Sequence, residues 1–598
     1  MIMAWYDEAI FYHIYPLGLL GAPKQNSYGP AEHRLKRLIP WIAHIKEIGC
    51  NALYIGPLFE SVGHGYETTD YKKLDSRLGD NEDLKNFVTE CHRQGIRVIF
   101  DGVFNHTGRD FFAFQDILRN RENSPYRDWY CNVNFWGNNS YNDGFSYENW
   151  GGYDLLVKLN QRNPQVKDYI CDVIRFWVHE FDIDGIRLDA ADVLDFDFMK
   201  TLRWVAGEVK EDFWLMGEVI HGEYSRWVNG ETLHSVTNYH LHKALYSGHN
   251  DHNYFEIAHT VKRLYGMGGN QPGGLKLYNF VDNHDVERIY TKLSNKASFF
   301  PVHVLLYTLP GIPSIYYGSE FGIEGHKYRG GSDDEIRPAL RLSDFSDAAS
   351  GNQCTKLIRA LGKIRQNTPA LSYGDYREAA LTTRQYTFTR TLGDVTVIVT
   401  VNNDDNEAWI QAGSIPDGEY TGALSGEKVR VEWGNFNAHL YANTGEIWIP
   451  SDYNQQKAAF DFEEIAAKAK AQAKAREEAA LLAKQKARAL EEERKKKALE
   501  ANRKIAEGQN LSAEELQKLL AAPANSAADK YGLGPEYAAI DADAIASRND
   551  YHNMTIEELQ VAILEKMAKN GPVNEQMKRT VMDNRHQGSL TNWVRSFR

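Results

Sequence analysis

The chain is poor in cysteine, with five in 598 residues, at positions 50, 91, 131, 171 and 354, and no CxxC pair among them. That spacing excludes a disulfide framework and a thiolate zinc site and leaves reduced thiols. It has no run of 18 uncharged apolar residues, so no ordinary membrane-spanning helix is expected. Positive charge is short: 68 Lys and Arg stand against 81 Asp and Glu, a net charge of -13. Such a chain is expected neither to bind nucleic acid in general nor to adhere to anionic membranes. No GxGxxG opens the first helical segment, so nothing signals a dinucleotide site. The first twenty residues lack the basic start and small-residue cleavage site of a signal peptide. With the reduced thiols, this gives a cytoplasmic protein as the expectation.

A hydrophobic content of 42% and an aromatic content of 12% describe a packed body, and 598 residues are too many for one core. From residue 9 to about 322, strand-like and helix-like segments alternate. Strands read at Ala9–Tyr15, Ala52–Phe59, Arg97–Phe104, Gly185–Leu188, Phe213–Val219, Lys276–Val281 and Ser314–Tyr317, with a weaker one at His234–Tyr239. Helices read at Leu35–Ile48, Glu82–Gln94 with Asn81 as its cap, and Gln165–Phe181 behind Asn163-Pro164. Further helices read near Asp197–Val209, Tyr254–Tyr265 and Ser298–Leu309. Eight strands alternating with helices point to a (β/α)8 TIM barrel over residues 1–374. One connection, about 107–161, is too long for a plain loop and reads as an inserted subdomain beside the cleft.

Residues 375–452 switch to period-two alternation and read as an all-β C-terminal domain, with strands at Tyr386–Arg390, Val395–Asn402, Lys428–Trp433 and His439–Ile449. Residues 453–510 are dominated by Ala, Lys, Glu, Arg and Leu, a long charged helix whose apolar positions keep no heptad. Residues 511–598 read as short helices around a linker, with capping boxes at Ser512–Glu515 and Thr555–Glu558, a candidate module for docking or self-association.

Chemistry concentrates at four strand ends. The third strand ends in Asp101-Gly-Val-Phe-Asn105-His106, the fourth gives Arg187-Leu-Asp189, the fifth ends in Gly217-Glu218-Val219, and the seventh reads Phe280-Val-Asp282-Asn283-His284-Asp285. Arg187 and Asp189 are two apart, so both side chains leave the strand on one face. Alone, that pair reads equally as a buried ion pair and as a site. Four acid-bearing strand ends at one end of one barrel favour the site, because burying several carboxylates costs several kcal/mol.

DGVFNH, GIRLDAAD, GEV and FVDNHD, in this order, resemble the four signature segments of the α-amylase superfamily of glycoside hydrolases, and Gly311–Glu320 is similar to a further family segment. The resemblance covers roughly residues 5–450 and implies the same barrel, insertion and β domain. It implies Asp189 as nucleophile, Glu218 as general acid/base, and Asp285 as a third carboxylate supporting the transition state. It implies that Arg187 orients and ionises Asp189, that His106 and His284 bind the sugar, and that Tyr66 stacks on it. Asp101 takes the place of a supporting acid, either an anchor or a substrate contact. Leu156–Asn160, and Glu218 through Trp227 to Tyr239, resemble the neopullulanase and cyclomaltodextrinase group. The β domain through which that group commonly dimerises is not seen ahead of the barrel, and the helical tail is foreign to it.

The implied activity is hydrolysis of α-1,4-linked gluco-oligosaccharides through a covalent glycosyl-enzyme. It needs no cofactor, and the resemblance leaves room for a structural calcium near Asn105. Retention requires Asp189 ionised, Glu218 protonated and the two carboxyls about 5–5.5 Å apart. An α-glucanotransferase using the same intermediate is the alternative, and a non-catalytic carbohydrate-binding or scaffold protein is the reading from another class. Expected partners are α-glucan oligosaccharides, with self-association through the tail as a further option.

Overall fold

The computed structural model describes residues 4–268, 274–328, 332–453 and 554–569, with scattered positions between 530 and 594. The long helix expected within 453–510 and the capping box at Ser512–Glu515 lie outside the described residues. The chain divides into two compact units, Ile2–Ala466 and Ala467–Arg598.

Eight short parallel strands line the first unit: β1 Phe11–Ile14, β2 Ala52–Ile55, β3 Arg97–Gly102, β4 Gly185–Leu188, β5 Trp214–Gly217, β6 Ser235–Val236, β7 Tyr278–Asn279 and β8 Ile312–Tyr316. They pair in the order β6-β5-β4-β3-β2-β1-β8-β7. The last gap closes through a single parallel bridge, Thr237 to Tyr278, with Asn238 N donating to Tyr278 O at 2.9 Å. The (β/α)8 barrel is therefore complete. Its interior is packed by Phe11, Tyr54, Ile99, Trp214, Met216 and Tyr278, all on alternate strand positions. Phe11 stacks on Trp214 at 5.0 Å and plugs the N-terminal end, which leaves the other end for loops.

Helices Ile39–Glu47, Asn81–Arg93, Pro164–Phe181, Phe196–Val209, Tyr254–Met267 and Phe299–Thr308 pack their apolar stripes outside the strands. The helix behind Asn163-Pro164 starts as expected, with Gln165 N donating to Asn163 Oδ1 at 2.8 Å. The cap at Asn81 is corrected. Asp80 Oδ1 accepts from Asp83 N at 3.0 Å, while the Asn81 amide ties down the preceding strand through Leu74 N and Lys72 O. The weak strand expected at His234–Tyr239 is only two residues long, and a helix, Tyr239–Asn250, follows that the sequence pattern hid.

The connection after β3 carries a helix, Phe112–Asn120, and a three-stranded sheet in which Tyr153–Lys158 pairs with both His106–Thr107 and Asn149–Trp150. After β8 come a helix, Gln353–Gln366, and the β domain: β9 Asp375–Leu381, β10 Gln385–Leu392, β11 Val395–Asn402, β12 Ala408–Ala412, β13 Gly418–Gly422, β14 Lys428–Val431, β15 Phe436–Leu440 and β16 Thr444–Pro450. The single strand expected at His439–Ile449 is two strands, turning at Asn443 with a φ of 50°. Six strands form one antiparallel sheet and β12 with β15 a second, around Ile398, Tyr420, Phe436 and Trp448.

In the second unit, helix Ile556–Lys569 opens on the expected capping box. Glu558 N donates to Thr555 Oγ1 at 3.1 Å, and Thr555 N donates to Glu558 Oε2 at 2.8 Å. Gln560 on it is fully buried, accepting from Tyr537 OH at 2.6 Å and donating to Val581 O and Met582 O. Among the described residues no helix is long and apolar enough to cross a membrane.

Candidate active site

Register brings the first charges together. Asp101 on β3 and Met216 on β5 are the direct neighbours of Arg187 on β4. Arg187 Nη1 donates to Asp101 Oδ1 at 2.8 Å and to Asp189 Oδ1 at 2.9 Å, and Nη2 lies 2.8 Å from Glu218 Oε2. One buried guanidinium thus serves three carboxylates. The contact to Asp189 is the one the sequence pointed to, and the strands on both sides deliver two further acids to the same fork. Burial disfavours the charge on Arg187, but Asp101 and Glu218 outweigh this and hold it well above the ordinary arginine range.

Asp189 follows the end of β4, and Ala190 behind it adopts a left-handed conformation, φ 48°. A non-glycine residue in that region is strained, and the turn points Ala190 N at Glu218 Oε2, 3.1 Å away. Before Glu218 only glycine fits, since a Cβ on Gly217 would meet Leu233 Cδ1 at 2.4 Å and Ala191 Cβ at 2.8 Å. Tyr239 OH completes the cradle at 3.4 Å from Glu218 Oε1. Burial pushes the Asp189 carboxyl well above the usual carboxylate range. Arg187 opposes the shift, and Glu218, Asp101 and Asp285 add to it. Three acids around one cation therefore favour keeping a proton within the group.

Asp285 behaves oppositely. Burial would raise it, but His284 Nε2 at 2.9 Å from Oδ2 and Arg337 Nη2 at 2.9 Å from Oδ1 outweigh that and hold it well below the ordinary range. Arg337 also donates through Nε to His284 O at 2.8 Å, pairs with Asp333 at 2.9 Å and lies over the Tyr15 ring. An opposite charge at this distance lowers a carboxyl by about 1–3 units. Replacing Arg337 by Met should therefore raise the titration of Asp285 itself by about one unit or more, read from its carboxyl carbon by NMR.

Asp189, Glu218, Asp285, Tyr66 and His106 line one cleft of about 320 Å3, closed by His64, Trp150, Leu156, Ile220 and Arg337. His106 Nε2 lies 3.1 Å from Tyr66 O, and burial drives its imidazole down to about 4, so it is neutral at ordinary pH. Asp101 and His284 sit beneath this wall, 3% and 2% exposed. Asp101 is an anchor, accepting from Tyr54 OH at 2.7 Å and Tyr66 OH at 3.0 Å besides Arg187. His284 Nε2 meets Tyr66 OH at 2.5 Å, and the two rings stack at 5.7 Å. A larger hollow of about 1260 Å3, between helix Ile39–Glu47 and residues 339–348, contains none of the strand-end acids.

Sequence reasoning missed Arg337, Tyr54, Tyr239, Trp150 and His13, the last stacked on Tyr54 at 4.2 Å. Tyr54 and His13 carried a signal, polar groups on inward strand positions; Arg337 lies past the last strand, where no periodicity marks it.

Asn105 does not fit a calcium site. Its amide faces His106 Nδ1 at 3.3 Å and Gln161 Nε2 at 3.4 Å, neutral nitrogen groups rather than the oxygen-rich cage calcium takes. Among the described residues, the acid and imidazole groups close enough to share an ion are His33, Asp80 and Asp83, on the barrel's outer wall.

The family model described as the alpha-amylase catalytic domain matches residues 27–369. A cyclomaltodextrinase of a Bacillus species is 31% identical over 425 residues, 67% of this chain and 74% of that protein. Neopullulanase 2 of Thermoactinomyces vulgaris is 30% identical over 469 residues, 74% of this chain and 78% of that protein. The native form of a Nostoc punctiforme debranching enzyme superposes with a TM-score of 0.64 at 27% identity, covering 74% of this chain and 98% of that one.

Proposed function

Because the chain belongs to the α-amylase family of glycoside hydrolases, we propose that it hydrolyses α-1,4-glucosidic bonds in maltodextrins, cyclomaltodextrins or related α-glucans with retention of configuration. The observation that carries this is the single Arg187 guanidinium touching both Asp189 and Glu218, which keeps the two carboxyls close. Names among the relatives, cyclomaltodextrinase and neopullulanase, support the substrate class.

The roles follow from how each carboxylate oxygen is held. Glu218 Oε2 accepts from Ala190 N and faces Arg187 Nη2, while Oε1 meets Tyr239 OH at a longer 3.4 Å, so in the reactive form Oε1 carries the transferable proton. Asp189 Oδ1 is held by Arg187 Nη1; in the reactive form, with the proton on Glu218, the ionised Oδ2 attacks the anomeric carbon. As the glycosidic bond breaks, Glu218 protonates the leaving oxygen, and positive charge develops on the ring. Asp285, held ionised by His284 and Arg337, stabilises that charge. Glu218, now a base, activates water, which releases the sugar from Asp189. No step uses a metal ion.

Calcium is not required on this reading, and the cytoplasm is the proposed location. Maltotriose tests the proposal directly. Freshly released sugar should be the α-anomer by NMR before mutarotation, with glucose and maltose as the early products. A β-anomer would refute retention, and early oligomers longer than maltotriose would favour the glucanotransferase alternative.

A further inference from the structure

The second sheet of the β domain carries a face that this reaction does not use. On β12 and β15, Trp409 stands directly opposite His439, and Gln411 opposite Asn437. The alternate residues Ile410, Ala438 and Leu440 are buried in the domain, so these four side chains share the outer face. Tyr441, two positions beyond His439, joins them. Its ring lies 4.9 Å from the imidazole, and the Trp409 ring lies 5.4 Å from it on the other strand. Trp409 is 69% exposed and Tyr441 56%. The Tyr441 carbonyl accepts from Asn402 Nδ2 at 3.1 Å and Thr444 Oγ1 at 2.7 Å, which fixes the base of the ring. The carboxylate of Glu407 lies beside the face, against His439 Nε2 at 3.1 Å.

The chemistry selects the occupant. Open rings take the apolar face of a pyranose, and the flanking amides and imidazole reach its hydroxyls. The amides and rings are neutral, which matches a neutral polyol. On a chain of net charge -13, with Glu407 at the edge, an anionic partner is disfavoured. A protein partner calls for a broader apolar patch than two rings set among amides.

We propose that this face is a second α-glucan-binding surface, which holds a stretch of polymeric substrate outside the cleft. The proposal rests on the reading that α-glucans are the substrates.

The test uses the full chain carrying Asp189→Asn, so that polysaccharide is not digested, in native gels containing amylopectin. Amylopectin should retard this protein, and adding Trp409→Ala with Tyr441→Ala should raise the apparent Kd at least about tenfold. Trp204→Ala, which removes a ring 64% exposed on a barrel helix, should leave retardation unchanged. In the otherwise unmutated chain, the double variant should lose activity on amylopectin and keep kcat/KM on maltotriose. Failure of amylopectin to retard the Asp189→Asn chain overturns the proposal. So does unchanged retardation of the double variant, an equal effect of Trp204→Ala, or an equal loss on maltotriose. Hydrolysis of maltotriose by the unmutated chain reports separately on the underlying reading.

Discussion

Replacing Asp189 by Ala lowers turnover of maltotriose by about 10^4-fold or more, the scale on which loss of a covalent nucleophile is felt. Loss of rate alone does not separate nucleophile from acid, since Glu218→Ala is also slow. The stereochemistry of rescue does. With α-maltosyl fluoride, whose leaving group needs no proton, Asp189→Ala leaves a hole on the face from which the nucleophile attacked. Azide enters there and captures the sugar in one displacement, giving the β-glycosyl azide. In Glu218→Ala the nucleophile survives, the intermediate forms, and azide replaces water in the second step. Two displacements then give the α-glycosyl azide. An α-azide from Asp189→Ala would reverse the assignment of these two residues. Both cavities are open to a small anion, because both side chains line the cleft.

The parts of this site that could be read in the sequence are those encoded within one strand and its loop. A buried strand is a short apolar run, so an acid at its end stands out, and Asp101, Asp189, Glu218 and Asp285 all announced themselves this way. The Arg187–Asp189 contact was legible because a spacing of two puts both on one face. What the sequence could not encode locally is who else shares Arg187. That depends on β3 and β5 arriving in register on either side of it, with Asp101 opposite Arg187 and Met216 two positions before Glu218. Arg337 was hidden for the same reason, being 52 residues from the carboxylate it holds. The barrel was legible from alternation, while β6 and β7, of two residues each, were too short to bound. Helix Tyr239–Asn250 was hidden because its histidines and a buried glycine, Gly248, blur the apolar stripe.

Arg187→Met should cost about 3–5 kcal/mol of stability near neutral pH, because it strands buried carboxylates without a counter-charge. The pH dependence carries the argument. Asp189 is already above its ordinary value with Arg187 present, through burial and the neighbouring acids; without the guanidinium that opposes the shift, it goes higher. An acid whose folded value exceeds its unfolded value, about 3.9 for Asp, keeps a proton in the folded state that the unfolded chain has released. Over that window the folded state binds more protons, so stability falls as pH rises. Asp285 works with the opposite sign: its depressed value contributes stability that is present at neutral pH and lost as pH falls through the folded value. The variant should therefore lie closest to the parent near pH 4 and furthest from it near pH 7, read from urea midpoints at both. An equal loss at the two would mean that Arg187 acts by packing and not by charge. Arg187→Lys should recover part of the stability but little turnover, since an ammonium restores the charge and cannot reach Asp101, Asp189 and Glu218 together as the planar fork does.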